Sequence, residues 1–240
     1  MAINANALRR PSDRRLFLAA AILFPLVVLA GYFKSYYFSA FFDVPSVANM
    51  LVHAHAGVMT LWVAYFSAQI ALIRTKNVRL HMTMGLVGIA LAALVVVVGT
   101  ATAYDAQLVR GSAPPGVNPH SFFVLPMLDM TLFVVFFAAA IYYRKRPTEH
   151  KTLMLMTAIA FMPAALFRLP VVPAQHMIHW AFGVPMLVAL ACLGWHRAKQ
   201  RKLNKVFAAS VLLVIAAHPL RIVLLSSEAW LRFTAWLASL

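Results

Sequence analysis

The sequence predicts an all-α fold, an integral membrane bundle of seven transmembrane helices with its N-terminus cytoplasmic and its C-terminus outside. Three observations carry this expectation. Of 240 residues, 63% are hydrophobic and 11% charged, with a mean hydropathy of +0.81. A soluble domain of this size needs more polar surface to cover its core. Apolar runs of about 20 residues, the length that crosses a hydrocarbon core, can be drawn seven times. The basic residues gather on alternate loops, as membrane topology demands.

The whole chain reads as one transmembrane domain. The first segment, 15–37, follows Arg9, Arg10, Arg14 and Arg15 and ends in the aromatic stretch Phe33-Lys34-Ser35-Tyr36-Tyr37. It is full length and lacks a small-residue cleavage site, so it reads as a retained helix and not as a signal peptide. The others cover 46–73, 79–104, 119–143, 149–171, 174–196 and 203–225. Residues 226–240 hold Trp230, Arg232, Phe233 and Trp236, the pattern of an interfacial amphipathic helix.

Orientation follows from the loops. The N-terminal arginines lie on one side with Arg74, Lys76 and Arg79, with Arg144, Lys145, Arg146 and Lys151, and with Arg197, Lys199, Arg201, Lys202 and Lys205. That is 16 of the 21 Lys and Arg residues. The opposite loops carry Asp43, Asp105 and few cations. The net charge of +15 is therefore a topology signal, and nucleic acid is not an expected partner. The lipid bilayer is, in a cell membrane such as a bacterial inner membrane. Cys192 is the single cysteine, which excludes an intramolecular disulfide and a thiolate cluster. It reads as packing within an apolar helix.

The nine histidines carry the functional question, because ionisable groups at membrane depth are costly. Height can be counted from the basic end of each helix at about 1.5 Å per residue. His55 lies 19 residues from Arg74 and His179 lies 18 from Arg197, so they should be level. His53 and His176, each 21 residues out, form a second level pair, and His120, 24 from Arg144, is shallower. His81 and His150 both open their helices at the inner side. His53 and His55 are two apart, hence on nearly opposite faces, whereas His176 and His179 share one. His196, between Trp195 and Arg197, reads as a side chain snorkelling to headgroups.

Deeper polar groups are Asp129, 15 residues from Arg144, Arg168, Arg221 and His218. Asp129 should pair with one of the arginines or with His218, either as a packing ion pair or beside a site. Arg168 and Arg221 suit a carboxylate of a cofactor or an anionic substrate. There is also a short internal repeat. His53-x-His55, a basic loop and Arg79-Leu80-His81-Met82-Thr83-Met84 are followed by Pro119-His120, a basic loop and Glu149-His150-Lys151-Thr152-Leu153-Met154, with His–His spacings of 28 and 30.

These residues resemble those of a group of small uncharacterised bacterial multi-helix membrane proteins. That group has a His-rich second helix, a Leu-His-x-x-x-Gly opening of the next (here Leu80 to Gly85) and a later His-Lys-x-Leu-Met segment (here His150 to Met154). Residues 46–171 also resemble the four-helix core of cytochrome b561-type proteins. That resemblance implies two b haems, one held by His53 or His55 with His120 and one by His81 with His150. It also implies electron transfer across the bilayer and a redox partner or larger membrane complex. His179, level with His55, competes for the outer site. A second expectation is an outward-facing transition-metal site made of His55, His176 and His179 with Asp129 or His218, able to activate water. A third is a non-catalytic accessory subunit.

Overall fold

The structure, a computed structural model, describes residues 11–44, 47 and 49–239, with the side chains of Pro11, Ser12 and Asp13 left aside. Arg9 and Arg10 of the basic N-terminus, the first residue of the 46–73 segment and Leu240 lie outside these residues. The described residues are helical with no strand. Six helical stretches, at Arg14–Tyr37, Met50–Arg74, Val78–Val109, Pro119–Tyr142, Ala174–Gln200 and Lys205–Leu225, are long and apolar enough to cross a membrane.

In chain order the elements are α1 (Pro11–Tyr32), α2 (Met50–Arg74), α3 (Val78–Tyr104), the single turn α4 (Pro119–Phe122), α5 (Val124–Tyr142), α6 (Pro147–Leu166), α7 (Met177–Gln200), α8 (Lys205–Leu225) and α9 (Glu228–Ala238). Most starts are set by a capping side chain that accepts from a backbone N–H otherwise left without a helical partner. Asn49, Asn77, Asn118, Asn204 and Ser227 do this for α2, α3, α4, α8 and α9. The 119–143 segment is interrupted at Phe123, because Pro126 has no N–H to give back to the preceding turn. The 149–171 segment stops at Leu166. Leu169 precedes Pro170, and a residue in that position is pushed out of the helical region.

The closest packing lies within two hairpins, α2–α3 and α5–α6. α6 is the hub and touches α1, α5, α7 and α8. Most of its residues from Thr152 to Leu166 are buried, which explains why it is absent from the six apolar stretches. A helix sheathed by protein need not be apolar on every face, and α6 carries Glu149, His150, Lys151, Thr152 and Thr157. Its core partners include Phe136, Phe207, Val211 and Ala189. A second cluster joins Trp62, Phe66 and Val95 of the first hairpin to Phe133, Phe161 and Phe24.

Gly31 marks the closest helix crossing. A Cβ there would overlap the backbone of Ala165, so α1 reaches α6 only through a residue without one. α9 is amphipathic and lies across the ends of α3 and α4. Tyr104 donates to the Leu237 carbonyl at 3.2 Å, Trp230 Nε1 donates to the His120 carbonyl at 3.0 Å, and Trp230 stacks on Phe123. Phe233 and Trp236 stay exposed.

Candidate functional site

Two histidine pairs form, one at each side of the bundle. At the basic-loop side, His81 from the first turn of α3 meets His150 from the first turn of α6. Their ring centres are 6.3 Å apart and their planes near perpendicular, at 77°. The two rings meet although the main packing partners of α3 are α2 and α5. His150 Nδ1 donates to the Ala140 carbonyl at 2.9 Å. That fixes the tautomer and leaves Nε2 with a free lone pair, the arrangement in which a metal-ligating imidazole is held from behind. His81 Nδ1 is buried with no partner among the described residues.

The ring-centre distance of 6.3 Å is of the order that two imidazoles sharing one centre need, with metal–nitrogen bonds of roughly 2.0 Å each. Bis-imidazole haem ligation is one chemistry that this donor set suits.

Sequence reasoning missed the polar column behind His81. Tyr65 donates to the Met84 carbonyl at 2.6 Å, and Gln69 Nε2 donates to the Tyr65 hydroxyl at 2.5 Å. Gly88 makes this possible, because a Cβ there would overlap the Tyr65 ring. Gln69 Oε1 is buried without a partner among the described residues. The signal was present: Tyr65 and Gln69 are polar, four apart, and on the helix face that carries Trp62.

At the opposite side, His179 of α7 faces His218 of α8, with Nδ1 and Nε2 3.3 Å apart. Phe182 lies under both His218 and the Arg221 guanidinium, the latter 4.0 Å from the ring centre. Arg221 Nη2 donates to Asp129 Oδ1 in a buried ion pair between α8 and α5. Asp129 thus takes Arg221 from the partners open to it. Arg168 instead stacks over Tyr32 at 4.3 Å and donates to the Ala164 carbonyl.

The wider outer sites expected from the sequence do not assemble. His53 and His55 do split onto two faces. His53 is exposed and bonds through Nδ1 to the Tyr36 hydroxyl at 3.1 Å, while His55 turns inward beside Gly99. His55 has no ring contact with His120 or His179 among the described residues, although its Nδ1 is buried and unpartnered there, as is that of His120. His176 is exposed in the turn before α7. Among the described residues no three metal-capable side chains gather in one place, so His55, His176, His179, Asp129 and His218 are not one ligand set. The reason is lateral. Level height makes His55 and His179 look like partners, but α7 packs mainly on α6 and α8, and α2 mainly on α1 and α3. His196 departs from expectation too: it is 3% exposed and packs edge-on against Phe207.

A cavity of about 980 Å³ lies between α9 and the half of α3 away from the basic loops, and no histidine is among its lining residues. Val96, Thr100, Tyr104, Met127 and Trp230 line it.

No family model, curated protein or solved structure matches the chain. The reading therefore rests on the residues themselves.

Proposed function

We propose that the chain is a b-type membrane cytochrome of the bacterial inner membrane, with haem b held between His81 and His150. The observation that carries this reading is the meeting of those two rings from the first turns of two different helices. The reading takes α6 as a seventh crossing, and the positive charge of the basic loops supports a cytoplasmic side for them and for the N-terminus. The pair then stands at the inner leaflet. His81 and His150 would hold the haem through their imidazole nitrogens, and the group would supply one-electron transfer there. His150 is oriented through the Ala140 carbonyl, and Tyr65, held by Gln69, ties α2 to α3 at the Met84 carbonyl behind His81. A redox partner or larger membrane complex would provide and accept the electrons.

The purified protein from haem-replete cells is expected to show a Soret band. His81→Ala and His150→Ala should each abolish the same band while His53→Ala leaves it. A colourless wild type overturns the proposal, as does a band that survives both substitutions.

One observation favours a second reading, a metal-dependent membrane protein with its site on the outer side. Two nitrogens on a tetrahedral ion with bonds of about 2.05 Å stand roughly 3.3 Å apart, which is the His179–His218 separation. Stoichiometric zinc or copper lost in both His179→Ala and His218→Ala would establish it. Absence of haem and of metal alike leaves the accessory-subunit reading.

A further inference from the structure

We infer that the seam between α1 and α2, on the basic-loop side, is a binding site for the phosphate headgroup of an anionic phospholipid. A cavity of about 390 Å³ opens there, lined by Arg14, Arg15, Leu18, Arg74 and Thr75. Arg14 and Arg15 come from the start of α1. Arg74 closes α2, and Thr75 caps it. Arg74 Nη1 donates to the Arg14 carbonyl at 3.2 Å, which ties the two helix ends together around the cavity. Ion pairs form at Arg110–Asp105, Arg221–Asp129 and Arg232–Glu228, and none joins Arg14, Arg15 or Arg74 to a carboxylate among the described residues. The Thr75 hydroxyl is already donated to the Ala71 and Leu72 carbonyls, and positive charge is left as the dominant feature of the site.

Guanidinium forks match phosphate oxygens in pairs, which a point charge cannot do. Three of them around one cavity suit an anionic headgroup better than a zwitterionic one, whose own ammonium would meet them. A basic pocket between membrane helices on this side is the setting in which such headgroups bind. The occupant is a lipid and not free phosphate because an apolar track leaves the cavity. Leu18 in its wall is followed down α1 by Ile22, Leu26 and Leu29, all exposed and spaced three or four apart. They form one stripe along which an acyl chain can lie.

The test uses the full chain purified in mild detergent and reconstituted into nanodiscs of phosphatidylcholine with a minor share of phosphatidylglycerol. Retained lipid is measured by native mass spectrometry. The wild type should retain phosphatidylglycerol over phosphatidylcholine, and Arg14→Gln/Arg15→Gln/Arg74→Gln should lose that preference. Arg144→Gln/Lys145→Gln/Lys202→Gln, which removes the same charge from other loops, should keep it. If the first triple variant does not fold, Arg15→Gln and Arg74→Gln alone, both at exposed positions, should each weaken retention about fivefold. Equal retention by the variants, no headgroup preference in the wild type, or displacement of the lipid by inorganic phosphate would each overturn the inference.

Discussion

Arg221→Met is expected to destabilise the folded protein by about 3–5 kcal/mol, and Asp129→Leu by a similar amount, because each leaves the other charge buried and unpaired. Arg221 is 2% exposed and Asp129 8%, and each takes its principal charge partner from the other. Phe182 covers the guanidinium, so water offers no replacement, and the low-dielectric surroundings raise the cost of an isolated charge. The combined variant should recover most of the loss, since replacing a buried pair with apolar side chains of similar volume is close to neutral. Thermal unfolding of the four proteins in one detergent provides the double-mutant cycle. Additive losses, with no recovery in the double variant, would show that the two residues act separately.

The second large effect is steric. Gly31→Ala should cost about 1–3 kcal/mol, the range for overpacking a tight interior, and Gly31→Leu more. The added carbon meets backbone atoms of Ala165, which cannot rotate away, so α1 must back off α6. That separation also pulls Tyr32 from under Arg168, one residue along. Gly99→Ala is the control. Its Cβ would overlap only the terminal methyl of Met130, with the His55 ring 3.9 Å away. A methionine side chain can swing aside, so the change should fall within about 1 kcal/mol. Comparable losses at the two glycines would remove the argument that backbone contact makes the α1–α6 crossing special.

The elements were largely legible because membrane helices are set by composition. Capping asparagines explain the starts: 79, 119 and 203 were expected, and Asn77, Asn118 and Asn204 cap helices beginning at 78, 119 and 205. α2 begins later than its apolar run, which continues past the helix's cap, Asn49. α6 shows the converse. Its apolar pattern could be read, but its position at the centre of the bundle could not, since hydropathy measures a helix and not its neighbours.

The site divides along the same line. Counting along the helices gives the height of a histidine but not its direction around the bundle. His81 and His150 were expected to be level, and they meet. His55 and His179 are level by the same count, but their helices pack mainly on other partners. His218 was the less obvious partner of His179, because its value depended on α8 lying beside α7. The histidine pairs thus needed three-dimensional adjacency, whereas the split of His53 from His55 needed only the helical repeat.

The central place of α6 bears on how the chain is made. A segment opening with Glu149, His150 and Lys151 partitions poorly into hydrocarbon when it leaves the insertion machinery alone. The turn that joins it to α5 spans only Tyr143 to Arg146, and α5 is among the apolar stretches. The two are thus suited to enter the bilayer together as a hairpin, with α5 as the escort. Assembly order then becomes part of the design: α7 and α8 arrive last and close over a helix that lipid alone would not hold.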